Sequence, residues 1–446
     1  MSAPAQTPGG AAPEPVGPPP PAQGWRRLVP WWVRVYRRDL VRGDVIAGLT
    51  VAVLLVPQAM AYATLAELPP VTGLYAATLP LLVYALLGTS GQLAVGPVAI
   101  VALLTASAVA PRADTPGEAV AIAGLLALLV GGLQIILGLL RLGKLASVLR
   151  HPVIVGFTSA AAIVIALSQL RELFGVSAPR SSEAIAAITG VVTRLDDTHL
   201  LTFVVGTSAI AVLVLARRLA PRLPAPLLLL VAGIGVSIAF GLGEQGVNLV
   251  GDVPAGLPVP TLPDLDAGLV VGLLPSAAAI ALIGYAEGLS VARAIARTTG
   301  DRIDADRELV ATGAANAAAA TVQAMPVAGG FSRSAVNHQA GARTPLSSVI
   351  TAGVVAVVAL VFTPLLAALP NAILAAVIVV AVLSLVDIGE VVRLLRAHPA
   401  DGAVAVVTFA ATFLLGIEPG LAIGVAAGLA AHLLERRTRR TAGWSA

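Results

Sequence analysis

Apolar positions in this chain run in long blocks rather than at helical or strand intervals. Clear blocks occupy 44–65, 70–88, 118–140, 152–170, 198–216, 224–242, 268–290, 344–362, 371–386, 401–416 and 418–434, with shorter or interrupted ones at 96–110, 306–322 and 332–341. A helix needs roughly 20 apolar residues to cross a bilayer. The pattern therefore predicts an all-α polytopic membrane protein with fourteen transmembrane segments, three of them short. Residues 1–24 are rich in Pro, Gly and Ala and carry one charge, Glu14; they lack the basic start and apolar run of a signal peptide and are expected to be a disordered tail. Residues 25–42, with Trp25, Trp31, Trp32, Tyr36 and six arginines, read as an interfacial amphipathic helix, and 387–398 looks similar. The membrane-spanning body covers 43–435, and 436–446 is a basic tail.

The polar positions between blocks orient the chain. With the N-terminus in the cytoplasm, loops after even-numbered segments should hold the positive charge. Arg141, Lys144 and Arg150 follow segment 4, and Arg217, Arg218 and Arg222 follow segment 6. Arg293, Arg297, Arg302 and Arg307 follow segment 8, Arg343 follows segment 10, and Arg393 and Arg396 follow segment 12. Arg436, Arg437, Arg439 and Arg440 close the chain on the same side, so both termini are expected in the cytoplasm. The loop after segment 7 is acidic (Glu244, Asp252, Asp264, Asp266). The loop after segment 5 is mixed in sign (Arg171, Arg180 and Arg194 against Glu172, Glu183, Asp196 and Asp197) and votes little.

Composition strengthens this picture. The chain is 57% hydrophobic and 12% charged, more apolar than one soluble core can bury. A pI near 9.9 would suit nucleic acid, but the basic residues form short clusters between apolar blocks, so no nucleic-acid partner is expected. There are no cysteines, and the five histidines show no ligand spacing, so neither a metal site nor a cofactor is expected.

The two halves echo each other at an offset of seven segments. Segment 1 carries Pro57-Gln58 in mid-membrane and segment 8 carries Tyr285-Ala286-Glu287 at similar depth. Segment 3 contains Gly96-Pro97, and segment 10 follows Gly329-Gly330. An odd offset gives the halves opposite orientation, and paired Gly/Pro-interrupted segments point to a transporter binding site.

Three centres carry the candidate chemistry. At Gly96-Pro97-Val98-Ala99 the chain is expected to enter extended and turn helical in mid-bilayer, presenting free N–H groups and a positive dipole end to an anion. The plain alternative is a kinked packing helix. Phe331-Ser332-Arg333-Ser334, behind its glycine pair, reads as a second half-helix start. A guanidinium at the bilayer centre costs at least ~2.5–3.5 kcal/mol, so Arg333 should face a cavity or a partner. It either draws in an anion, lies near the cytoplasmic surface, or pairs with a carboxylate such as Glu287. Ser332 and Ser334 either donate to the anion or bond back to their helix. Glu287, the one acidic residue well inside segment 8, is a candidate to carry a proton or hold a cation during transport; a structural carboxyl is the alternative. Gln58 and Tyr62 lie four apart on one helix face and either touch substrate or glue helices together. GLGEQG at 241–246 fits a dinucleotide fingerprint but has no βαβ context. With no P-loop lysine, HExxH or GxSxG motif, an enzyme is not expected.

The run VPQAMAYATLAELPPVTGLY at 56–75 resembles the signature of the SulP family of anion permeases. The likeness continues through GTSGQLAVGPVAI (88–100), DRELVATGAAN (306–316) and GGFSRSAVNHQAGARTPLS (329–347) and covers essentially residues 40–435. The resemblance implies a seven-plus-seven inverted repeat (about 43–242 and 268–435) with core and gate domains. It implies half-helices at segments 3 and 10, each preceded by a short strand, with the anion between their N-termini. Carried over by position, the substrate site comprises Gln58, Tyr62, Gly96, Val98, Ala99, Phe331, Ser332, Arg333 and Ser334, and Glu287 stands where bacterial members couple to a proton or sodium. Sulfate, bicarbonate, chloride, oxalate and dicarboxylates are the implied substrates, and elevator-like movement of core against gate is the implied mechanism. Family members usually continue into a cytoplasmic STAS domain, whereas this sequence stops at Ala446; regulation and a homodimer stay open. The leading expectation is a proton-coupled anion symporter of a bacterial inner membrane. An uncoupled exchanger or channel is the alternative within transport, and a non-transporting sensor or scaffold the alternative outside it.

Overall fold

A computed structural model describes residues 30–143, 151–178, 184–220, 223–251, 256–258 and 260–442. The expected N-terminal tail, and Lys144, Arg150, Arg180, Glu183, Arg222 and Asp252, lie outside these described residues. The first half runs α1 (Trp31–Val35), α2 (Val41–Leu65), α3 (Pro70–Ala76), α4 (Leu79–Leu87), β1 (Val95–Gly96), α5 (Ala99–Val109), α6 (Pro116–Leu139), α7 (His151–Ser168), α8 (Leu170–Phe174), α9 (Ala184–Val192), α10 (Leu200–Leu219) and α11 (Ala225–Phe240). The second half runs α12 (Ala267–Thr299), α13 (Ala305–Thr321), β2 (Ala328–Gly329), α14 (Phe331–Gln339), α15 (Leu346–Val361), α16 (Thr363–Leu366), α17 (Asn371–Leu383), α18 (Ile388–Ala397), α19 (Pro399–Leu415) and α20 (Ile417–Ala442).

Every apolar block of the sequence overlies one of these helices. Among the described residues seven helical stretches, the longest Ala267–Thr299, are long and apolar enough to cross a membrane, and five shorter apolar helices accompany them. The helices start and stop for local reasons. Asp266 caps α12 by accepting from the Leu269 N–H at 2.7 Å, and Gly300, at φ 77°, ends it in the left-handed conformation. Asp304 accepts from the N–H groups of Asp306 and Arg307 at the start of α13. Along α10 and α11, Leu200, Val204, Leu215, Val231 and Ile238 are all at least half exposed. In water such a surface would be an aggregation face; in lipid it needs no cover.

The helices fall into two packing groups, and the pairings repeat between the halves. In the core group α6 packs on α13 and α12, and its counterpart α15 packs on α3, α4 and α2. In the gate group α7 packs on α19 and α20, and its counterpart α17 packs on α10 and α11. The most extensive crossing, α6 on α13, is backbone against backbone. A Cβ at Gly131 would lie 2.6 Å from the Gly313 carbonyl oxygen, and one at Gly313 would lie 2.8 Å from that of Gly131. Small residues of this kind let membrane helices approach where no hydrophobic drive exists between them.

The N-terminal segment differs from its sequence expectation. Where 25–42 was expected to be one interfacial helix, the described part is α-helical only over Trp31–Val35, a 3-10 turn covers Arg38–Leu40, and α2 already begins at Val41. The Trp31 and Trp32 indole N–H groups donate to the carbonyls of Gly88 and Ala85 at 2.9 and 2.8 Å. They satisfy the open C-terminus of α4, so these tryptophans bind protein before lipid. In the mixed-charge loop after segment 5, α9 was not foreseen.

Candidate functional site

The two Gly-interrupted segments meet at the centre of the core group. β1 and β2 pair antiparallel, Val95 opposite Gly329 and Gly96 opposite Ala328. After each strand the chain turns helical, at Ala99 and at Phe331, so the strand pair brings two helix N-termini together from opposite sides. Val98 and Gly330 occupy the N-cap positions in extended conformation, and neither provides a side-chain cap. The first intrahelical donors are Ala102 and Ser334, so the N–H groups of Ala99, Ile100, Val101, Phe331, Ser332 and Arg333 have no helical acceptor. These six donors and two converging dipoles form a cradle of the kind that can hold an anion.

Polar side chains lock the cradle in place. The Ser334 hydroxyl donates to the Gly330 carbonyl at 2.7 Å and accepts from the Ala94 N–H at 2.9 Å. Of the two serines it is therefore committed to holding α14 on the β1 chain, while Ser332 is exposed. Asn337 donates to the Gln92 carbonyl at 3.0 Å. Asn316 donates to the Val327 carbonyl at 3.0 Å and accepts from the Val327 N–H at 2.7 Å, fixing the entry to β2. It also donates to Gln134, which itself donates to the Ala281 carbonyl of α12. A Cβ at Gly329 would meet Gly288 Cα at 2.8 Å, so β2 lies directly on α12, one residue from Glu287.

Arg333 lies behind the cradle. Its Nη1 donates to the Pro97 carbonyl at 2.7 Å, tying one half-helix start to the other. Its Nε and Nη2 are buried without an acceptor, and Oε2 of Glu287 is buried without a donor. Among the described residues the two groups form no ion pair within 4.0 Å. The Gln58 side-chain oxygen is likewise unpartnered.

A cavity of about 570 Å³ runs from this centre to the surface between α7 and α12. Ile100, Phe331 and Glu287 line its inner part, and His151, Arg293 and Arg297 its mouth. Of the predicted site residues, Glu287 and Phe331 thus face the cavity directly, Gly96, Val98, Ala99 and Arg333 form the buried frame behind it, and Gln58 and Tyr62 approach from α2. The sequence had marked Arg293 and Arg297 as orienting charges only. Glu308 was also missed. Its carboxylate accepts from Thr89 N and Oγ1 at 2.6 and 2.5 Å and from the Tyr84 hydroxyl at 2.8 Å, stapling α13 to the chain that leads into β1. A buried acid inside segment 9 was the available signal.

Two half-helices facing each other across a strand pair, inside two oppositely oriented halves of apolar helices, define an integral membrane transporter rather than an enzyme. The model described as the sulfate permease family matches residues 41–408, and the chain belongs to that family. "Probable sulfate transporter Rv1739c" of Mycobacterium tuberculosis is 40% identical over 394 residues, spanning 88% of this chain and 70% of that one. "Sulfate transporter 4.1, chloroplastic" of Arabidopsis thaliana is 39% identical over 418 residues, spanning 90% of this chain and 61% of that one. Among solved structures, murine Slc26a9 in the inward-facing state superposes with a TM-score of 0.87 at 26% identity, covering 92% of this chain and 71% of that one. The transmembrane domain of the cyanobacterial bicarbonate transporter BicA superposes at 0.75 with 25% identity, covering 89% and 98%.

Proposed function

We propose that this protein carries a small oxyanion, of the sulfate, bicarbonate or dicarboxylate type, across a bacterial cytoplasmic membrane by cation-coupled symport. The observation that carries this reading is the convergence of two uncapped half-helix N-termini at the inner end of an open cavity. Arg333 supplies fixed positive charge behind the cradle, and the helix N–H groups supply directional donors. Glu287 lines the same cavity with one carboxylate oxygen unpartnered, which suits a group that takes up a proton, or holds a sodium ion, when the anion enters. The core group, α2–α6 with α12–α15, would move as a body against the gate group of α7, α10, α11, α17, α19 and α20 to expose the cradle alternately. The cavity opens where α7 begins and α12 ends, the side that loop charges assign to the cytoplasm, so the conformation is read as inward-open with both termini inside.

The test is a panel of radiolabelled sulfate, bicarbonate, chloride and dicarboxylates in proteoliposomes, with and without an inward proton or sodium gradient. One anion should accumulate uphill only with a gradient, and Glu287→Gln should abolish accumulation while leaving counter-anion exchange. Uphill uptake unchanged in Glu287→Gln would remove the coupling role. Strict counter-anion dependence with no gradient effect would favour an exchanger, and channel-sized currents a channel.

A further inference from the structure

The cavity wall holds a feature that the cradle does not account for. Its charged lining consists of His151, Glu287, Arg293 and Arg297. His151 is already engaged, 3.0 Å from Glu390, which also pairs with Arg393. Arg293 and Arg297 are exposed and form no ion pair among the described residues. They are one helical turn apart on α12, so their backbone positions differ by roughly 6 Å along the axis at 1.5 Å per residue. Glu287 lies roughly 9 Å further in on the same measure. An anion entering from the mouth therefore passes two unpaired guanidinium groups before it meets the only carboxylate of the lining. A narrow cleft with one sign of charge on apolar walls focuses the field and raises the local concentration of counter-ions. The rest of this lining is mainly apolar, with Ile154, Phe157, Ile283 and Leu421 among it.

We propose that Arg293 and Arg297 form an outer, low-affinity oxyanion site that loads the central cradle from the cytoplasmic face. The inference rests on the transport reading and adds a second site to it. Two guanidinium groups a turn apart match a divalent tetrahedral oxyanion better than a halide, because each presents planar paired donors to a different oxygen. The same chemistry would hold the phosphate of an anionic lipid, so the lipid must be controlled.

The test uses the full chain in phosphatidylcholine vesicles, with sulfate flux measured separately from the cytoplasmic and the external face at low and high salt. Arg293→Gln/Arg297→Gln should raise the cytoplasmic-side KM roughly tenfold at low salt, near the lower end of charge-focusing effects. Its kcat and external KM should stay near the unchanged protein's values, and its salt dependence should flatten. Arg217→Gln/Arg218→Gln, which removes the same charge from exposed positions at the end of α10, is the control and should leave both faces unaltered. An unchanged cytoplasmic KM and salt slope would overturn the proposal. So would an equal shift on both faces, which signals a structural defect, or a shift that appears only when anionic lipid is added. Should the unchanged protein move no anion at all, the transport reading falls by itself. The outer site is then judged by thermal stabilisation with sulfate, which the double variant must lose.

Discussion

The seat of Arg333 offers the sharpest quantitative check. Gly330 has φ −86° and ψ 127°, values open to any residue, so Ala there carries no backbone strain. Its added Cβ would stand 2.7 Å from Arg333 Nη2, 2.8 Å from Cζ and 3.2 Å from Nε. Ordinary contacts of this kind lie near 3.5 Å, so the guanidinium must move by several tenths of an ångström. It is not free to do so, because Nη1 is pinned to the Pro97 carbonyl at 2.7 Å and the group is only 2% exposed. Displacement costs that bond, and a hydrogen bond to a charged group contributes about 1.5–3 kcal/mol. At about 1.4 kcal/mol per factor of ten, Gly330→Ala should lower transport kcat/KM roughly ten- to hundredfold in a protein that still elutes as a folded species. Gly96→Ala is the internal control. Its Cβ would lie 3.4 Å from Nη2, a distance that costs little, and its loss should stay within about twofold. In an Arg333→Gln background, Gly330→Ala should add nothing, because the group it displaces is gone. Flux assays on the four proteins decide the matter. Equal damage from both glycine changes, or full additivity with Arg333→Gln, would refute the account.

Two further outcomes follow from the buried polar staples. Glu308→Ala leaves Thr89 N–H, the Thr89 hydroxyl and the Tyr84 hydroxyl without their acceptor and should destabilise the fold by about 3 kcal/mol or more, read as a lowered melting point in detergent; Glu308→Gln, which keeps an acceptor oxygen, should cost less. Asn316→Leu orphans the Val327 N–H and the Gln134 side-chain oxygen at about 1–3 kcal/mol each, and should loosen β2 so that transport falls more steeply than thermal stability.

The sequence carries the helices almost completely, because in lipid every backbone polar group must be satisfied within its own segment and long apolar runs have one solution. The half-helices were legible for the opposite reason: Gly96-Pro97 and Gly329-Gly330 deny that solution at two matched places. What stayed hidden depends on contacts between distant segments. Nothing local says that Ser334 faces Ala94 while Ser332 faces outward, since that division comes from the strand pairing. Arg293 and Arg297 fit a loop-charge pattern so well that their place on a cavity wall was masked. Trp31 and Trp32 fit an aromatic belt by composition, yet their indoles cap α4, because an open helix end competes for donors with the interface. Asp44 is similar: at the start of α2 it reads as a helix-start acid, but its carboxylate accepts from Arg343 and Thr344 N–H groups nearly three hundred residues away.

The repeat relation also bears on what moves. An offset of seven segments makes α2 equivalent to α12 and α17 equivalent to α7. Of these two equivalent pairings only one is closed: α2 packs on α17, whereas α7 and α12 form opposite walls of the cavity. On the proposed alternating mechanism, two halves of like build that pack differently hold the structure on one side of the exchange, and closing α7 on α12 would be the counterpart of opening α2 from α17. The chain lacks cysteine, so the exchange can be trapped without background. Thr158 and Ser290 both line the cavity, each seven residues in from His151 and Arg297 at its mouth. A disulfide tolerates only about 4.4–6.8 Å between Cα atoms, so a Thr158→Cys/Ser290→Cys protein should resist oxidation while the cavity stays open. Anion and gradient together should make it cross-link, and transport should stop as the bond forms and return on reduction. Cross-linking that proceeds at the same rate without anion, or a cross-linked protein that transports at full rate, would show that α7 and α12 do not close during turnover.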